Sequence, residues 1–260
     1  AGDLSAVAVA AALKADRCDI YSDVDGVYTT DPRIERRARR LARISYEEML
    51  EMASLGARVL QSRSVELGMA QRVPLRVLSS FAEPGASDNV GTIVCDEEEI
   101  VEKRIVSGVA FSRDEAKISL YGLPDHPGVS SEIFGRLADA NVNVDMIVQS
   151  HARSEGAANM EFTVGKRDAA RAVEIVRQAK AQIGFEDIAV DEDVAKVSVI
   201  GVGMRSHAGV AKTMFGALAD KGVNIQVIST SEIKISVLIE AAYTELAVRA
   251  LHAAYGLDKL

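Results

Sequence analysis

The chain has 260 residues, 48% of them hydrophobic and 26% charged, a composition that excludes a disordered polymer and suggests two or three small domains. Lysine and arginine number 30 against 38 acidic residues, a net charge of −8, and with no Trp and 5% aromatics the chain is a poor nucleic-acid binder. Cys18 and Cys95 form neither a disulfide framework nor a metal cluster, and the apolar stretch from Ala6 to Leu13 is too short to span a bilayer. That stretch also lacks the basic flank of a signal peptide, so the cytoplasm is the expected compartment, with no membrane partner.

The residues from Ser5 to Asp16 predict a small-residue helix of the kind that packs on a sheet. Because no strand precedes it, the chain is expected to be the C-terminal piece of something longer. Asp19 to Ser22 predicts a short strand, and Asp23 to Arg33 a loop rich in carboxylates and turn formers. Asp23-Val-Asp-Gly26 is no EF-hand, because its Gly comes fourth rather than sixth. Arg36, Arg37, Arg39, Arg40 and Arg43 are expected to form a solvated surface segment. Ser45-Tyr-Glu-Glu48 is a capping box opening a helix whose apolar face is Met49, Leu50, Met52, Ala53 and Leu55. A second helix is expected over 62–71, a strand over 73–78 with Pro74 near its start, and a loop over 83–91. The acidic run from Asp96 to Glu102 marks a domain boundary.

From Ile105 strands and helices alternate. Strands are expected over 105–112, 116–122, 144–150, 159–164, 186–191, 195–202, 225–231 and 233–239, and helices over 130–140, 168–181, 209–221 and 243–254. Residues 128–150 and 209–231 share 11 of 23 positions, an offset of 81 that fits a duplicated small domain rather than a solenoid. Each copy reads as a βαββαβ unit with helices on one face of an antiparallel sheet. The first unit has a spare leading strand and the second lacks its last one. If 105–112 pairs into the second sheet, the first unit is nested inside the second.

In each copy a Gly-containing loop leaves a strand and enters a helix, offering unpaired N–H groups and the positive end of a helix dipole to a carboxylate. Asn143, Asp145 and Gln149 alternate along the next strand. They are expected to share one side of it near that loop, where they could hold an ammonium group. The alternative is that Gly128 merely turns the chain and the polar residues face water. His126 and His207 occupy equivalent loop positions and are expected to pack the loops, not to bind metal.

Several segments resemble the aspartate kinase family. Residues 203–210 (GMRSHAGV) and 223–239 (VNIQVISTSEIKISVLI) look like its second regulatory ACT domain. Asp23-Val-Asp-Gly-Val-Tyr28, Asp31-Pro-Arg33, Glu48 to Ala53 and Arg63 to Glu66 match the end of its amino-acid-kinase domain. The implied fold is α/β, of α+β type in the regulatory part. Residues 1–95 would be the end of an αβα kinase domain and 96–104 a linker. Residues 113–192 would form the first ACT unit, and 105–112 with 193–260 the second. The resemblance implies phosphorylation of aspartate by ATP with Mg in the complete enzyme, and feedback inhibition by lysine, threonine or both. It also implies a homo-oligomer assembled through the ACT units.

By the same resemblance Ser22, Asp23, Tyr28, Arg33, Arg58 and Val59 would line part of the ATP site. Effector residues would be Asp125, His126, Pro127, Gly128, Val129, Ser130, Asn143, Val144, Asp145 and Gln149 in the first unit. In the second they would be Val210, Ala211, Asn224, Ile225, Ser231 and Glu232. Asp145 and Gln149 become Gln226 and Thr230 in the second copy, so unequal sites are expected. The family's glycine-rich nucleotide loop and catalytic lysine have no counterpart in these residues, and only Asp3 remains of its Gly-Gly-Ser-Asp. No catalytic residue is therefore assigned, and the chain alone is expected to be inactive and to need no cofactor. The competing reading is an amino-acid-sensing regulatory subunit that docks on a complete kinase.

Overall fold

The computed structural model describes residues 2–55, 59–82, 90–100, 104–152 and 156–259. The N-terminal portion contains α1 (Gly2–Ala12), β1 (Cys18–Ser22), β2 (Arg43–Ser45), α2 (Tyr46–Ser54), α3 (Ser62–Gln71), β3 (Leu75–Ser79) and β4 (Thr92–Cys95). Its sheet order is β1-β3-β4-β2, with β1–β3 and β2–β4 parallel and β3–β4 antiparallel. Val7 of α1, Met49 and Met52 of α2 and Val65 of α3 meet Ile20, Ile44, Leu75 and Val94 of the sheet in one core. The capping box forms as expected: Ser45 Oγ accepts the Glu48 amide and Glu48 Oε2 accepts the Ser45 amide, at 3.2 and 3.1 Å. The short strands β2 and β4 are additions to the sequence-based elements.

The C-terminal portion contains β5 (Gly108–Pro124), α4 (Val129–Asp139), β6 (Val144–His151), β7 (Ala157–Val164), α5 (Lys166–Gln178), α6 (Lys180–Ile183), β8 (Asp187–Ile200), α7 (Val210–Ala219), β9 (Val227–Thr230), β10 (Lys234–Glu240) and α8 (Thr244–Ala254). The eight expected strands are six, because 105–112 with 116–122, and 186–191 with 195–202, are two continuous strands. Polar residues such as Arg113 and Asp193 interrupt the apolar pattern, but the hydrogen-bond ladder runs on through register shifts between Ser112 and Lys117.

The six strands make one sheet, β6-β7-β5-β8-β10-β9. The front of β5 pairs antiparallel with the back of β8, Gly108 opposite Ile200 through Ser112 opposite Lys196. The back of β5 pairs with the front of β8, Lys117 opposite Asp191 through Tyr121 opposite Asp187. Each long strand thus serves both repeat units, and the first unit is nested in the second. The first core gathers Ile118, Leu120, Ile133, Leu137, Phe162 and Val176. The second gathers Val197, Val199, Met214, Leu218, Val237 and Leu251 on the equivalent strands and helices.

Candidate functional site

In the first unit β5 ends at Pro124 and α4 begins at Val129, with Gly128 at φ 105° as its cap. That left-handed backbone favours glycine and leaves the first-turn amides of α4 open. The Asp125 amide donates to Gly156 O at 2.9 Å, and the Asp125 carboxylate lies 3.3 Å from His151 Nδ1. Ser130 Oγ donates to Gln149 Oε1 at 3.3 Å, and His126 Nδ1 turns onto Pro127 O. Residues 125–130, Gln149 and His151 are therefore one cluster.

Asn143, Val144 and Asp145 are not in it. The helix α4 runs back along the sheet before β6 begins, so β6 starts at the end far from the loop. Asp145 and Gln149 are four residues apart, about 13 Å at strand rise. A bulge intervenes as well: Val144 pairs with Val164 and Ile147 with Phe162, three residues against two. The extra residue reverses the alternation, so Asp145 and Gln149 do not share one side of the strand as expected. Asp145 reaches instead to Lys196 of β8, whose ammonium also pairs with Glu115 of β5 at 2.8 Å. Lys196 and Glu115 side chains are each 7% exposed. Burial pushes the Lys196 ammonium down, but Glu115 and Asp145 outweigh it and hold its pKa above the usual lysine value.

The second unit repeats the split. Gly209 caps α7 at φ 98°, His207 Nδ1 lies 2.9 Å from Gly203 O, and Tyr255 donates its hydroxyl to Val210 O at 2.7 Å. Val210 and Ala211 pack into the second core. Ser231 and Glu232 sit at this loop end; Glu232 approaches Arg205 at 3.4 Å, and the Ser231 amide donates to Lys234 O. Asn224 and Ile225 lie at the other end, next to Gln226, whose side-chain oxygen accepts from Lys117 Nζ at 2.7 Å. The two far ends meet: Met146 and Val148 of β6 pack against Val194, Val227 and Leu238 of the second unit. A cavity of about 870 Å³ opens beside the second loop, between Arg104, His207, Lys212 and Tyr255.

The sequence reading missed Lys196, Glu115 and Lys117. A signal was present, since Lys196 is the one charge in the apolar run Val194 to Ile200. The arginine segment is also not simply solvated. Arg37 pairs with Glu35 and Asp258, Arg39 donates to Asp258 O, and Arg40 pairs with Asp25.

Of the residues expected to line a nucleotide, Arg58 lies outside the described residues. Ser22 ends β1 beside the end of the parallel strand β3, and its hydroxyl donates to Asp23. The carboxyl ends of parallel strands are where open α/β sheets receive ligands. Tyr28 donates to Asp25 at 3.0 Å, and Val59 is half-buried against the core. Arg33 holds Asp31 at 2.7 Å with its own side chain 89% exposed. A surface pair of that kind is weak enough to open for a phosphate, so the residues present fit one rim of a nucleotide site.

Residues 1–79 match the amino acid kinase family, and residues 118–179 and 197–255 match the ACT domain. The chain is 57% identical to an aspartokinase of Pseudomonas aeruginosa over 98% of its length and 61% of that protein's. It thus spans about three fifths of the curated relatives it matches. Among solved structures, the ligand-free regulatory subunit of aspartate kinase from Thermus thermophilus is 44% identical, covers 58% of this chain and 99% of its own, and has a TM-score of 0.55. Escherichia coli aspartokinase III in complex with lysine and aspartate, a T-state, is 29% identical, covers 96% of this chain and 54% of its own, and has a TM-score of 0.76.

Proposed function

Because the chain belongs to the aspartate kinase family, we propose that it is the regulatory end of an enzyme that phosphorylates the β-carboxylate of aspartate to 4-phospho-L-aspartate. This opens the route to lysine, threonine and methionine, and lysine, threonine or both would bind the ACT units as feedback effectors. The observation that carries the reading is the repeated loop, with Gly128 and Gly209 in the same left-handed cap at the head of equivalent helices. Each head offers open amides to an α-carboxylate. The lysine named with the E. coli relative supports an amino acid as ligand. In both units the loop and the polar start of the following strand lie at opposite ends, so a second copy is the natural source of the missing half-site. The compartment that goes with this chemistry is the cytoplasm.

ATP with Mg²⁺ would supply the phosphoryl group in the complete enzyme. Ser22, Asp23, Tyr28, Arg33 and Val59 would hold one rim of it, and Arg58 belongs to the same proposal. Phosphoryl transfer depends on groups that position and neutralise the phosphates, and no residue of this chain is assigned that role, so the chain alone should make no aspartyl phosphate. Production above a no-protein control by the purified chain would refute this. A second reading, a separate regulatory subunit, is favoured by the Thermus relative, which is named as a regulatory subunit and is covered to 99% by 58% of this chain.

Calorimetry with lysine and threonine, separately and together, is the deciding experiment. Binding of at least one is expected, with the oligomer growing in light scattering when it binds. Heat of dilution alone for both would overturn the effector reading.

A further inference from the structure

Glu48 is 2% exposed and uses both carboxylate oxygens. Oε2 accepts the Ser45 amide and hydroxyl, closing the capping box of α2. Oε1 faces the other way and accepts the Ser107 hydroxyl at 2.6 Å and the Val202 amide at 2.9 Å. A capping box needs only the first oxygen. The second joins α2 to the first amide of the turn Val202–Ser206, which leads into the loop at the head of α7.

The same turn is fixed on its other sides. A Cβ on Gly201 would lie 2.2 Å from Ile105 O, and one on Gly203 would lie 2.1 Å from Arg104 O, so the turn rests directly on the backbone of 104–105. Arg205 pairs with Glu97 at 2.7 Å. One helical turn beyond Glu48, Glu51 pairs with Lys234 of β10 at 2.7 Å, placing a second tie from α2 on the same unit. The position equivalent to Val202 in the first unit is Tyr121, which is 40% exposed and whose carbonyl accepts the Glu186 amide within that unit.

We propose that Glu48 is a positioning residue that makes the head loop of the second unit and helix α2 one mechanical body, so that displacement of residues 201–209 is delivered to α2 of the kinase portion through this carboxylate. The proposal rests on the effector reading only for the natural cause of the displacement. A buried carboxylate with two backbone and two hydroxyl donors on opposite sides is a stiff link, because releasing either side leaves charge unpaired in the interior. Effector chemistry at the second head loop would thus reach α2 without passing through the first unit.

The test is amide hydrogen exchange, resolved by residue, on the 260-residue protein and on Glu48→Gln, which keeps the shape but replaces an acceptor with an amide donor. Without ligand, the variant should lose protection at Val202 by about tenfold, the scale of one charged hydrogen bond, with residues 116–164 unchanged. With lysine or threonine bound, wild-type protein should change exchange in both 201–209 and 46–54. Glu48→Gln should still bind, with the change confined to 201–209. If Glu48→Gln does not fold, Ser107→Ala, which spares the capping box, should show the same pattern more weakly. An equal response of 46–54 in wild type and variant, or wild-type protection at Val202 in the variant, overturns the proposal. If neither amino acid binds, the effector reading falls by itself. Gly203→Ala then displaces the turn instead, and the response of 46–54 with and without Glu48→Gln decides the link.

Discussion

The two ACT units share a fold, a repeat and equivalent cores, yet they meet the rest of the molecule differently. The second is bolted to the kinase portion. His252 Nε2 lies 2.8 Å from Thr29 Oγ1, the Val109 amide donates to Thr29 O, Asp258 holds Arg37 and Arg39, and Glu48 and Glu51 reach Val202 and Lys234. The first unit is joined to the second by the shared strands β5 and β8 and by a charged seam, Lys196 with Glu115 and Asp145, and Lys117 with Gln226. At the offset of 81, Glu115 and Lys196 are equivalent positions that have taken opposite charges. Two identical units facing each other in this way would set like charges together. The cores are alike in both copies, while differences at a few positions give the second copy its contacts with the kinase portion.

The largest effect is expected where that seam is cut. Lys196→Ala leaves Glu115 buried without its cation, and breaking a buried pair from one side costs roughly 3–5 kcal/mol. Replacing both partners with apolar residues, Glu115→Leu with Lys196→Met, should recover most of the loss, because both desolvation costs vanish together. Urea unfolding of the three proteins measures this. A loss under about 1 kcal/mol for Lys196→Ala would mean that the shared strands alone hold the units together.

A smaller effect sharpens the contrast at the other junction. Burial pushes the His252 imidazole below its ordinary value of 6.5, although Glu35 and Asp258 favour its charged form. The folded state therefore binds fewer protons than the unfolded state as pH falls below about 6.5. Stability contributed by neutral His252 is present above that pH and is lost as pH falls towards the lowered folded value, at no more than about 1.4 kcal/mol per pH unit. The described histidines of the first unit, His126 and His151, are exposed. Urea midpoints at pH 7.5, 6.5 and 5.5 should fall for wild type and flatten for His252→Gln. The same slope in both would place the proton uptake elsewhere.

The parts of this architecture legible in the sequence were those written locally. Ser45 and Glu48 announce the cap of α2, the apolar face from Met49 to Leu55 announces its body, and the repeat with its spare strand implies the nesting. What could not be read was set by pairing partners distant in the chain. Alternation along residues 143–149 suggested one polar side, but the bulge opposite Val164 and Phe162 is a property of the β6–β7 ladder. The continuity of β5 through Arg113 and Asp114 depends on β8 being there to accept it. The second oxygen of Glu48 finds a partner 154 residues away, and nothing in the capping-box motif announces that.

The finest test of the asymmetry compares Asp145 with its repeat equivalent Gln226. Asp145 is a charged partner of Lys196, but its side chain is 49% exposed, and Glu115 remains on the ammonium when it is removed. Asp145→Ala should therefore cost about 1 kcal/mol, below the roughly 1.5–3 kcal/mol of a buried charged hydrogen bond. Gln226→Ala removes a neutral acceptor from Lys117, which can turn to water, and should cost about 0.5–1 kcal/mol. The same pair also bears on ligand binding. A carboxylate that completes an ammonium site on a neighbouring copy should lose about tenfold in affinity when removed, while the amide position should lose less. If calorimetry finds lysine and threonine bound as tightly by both variants, with both still folded, Asp145 serves the seam alone and the ammonium it was expected to meet is that of Lys196.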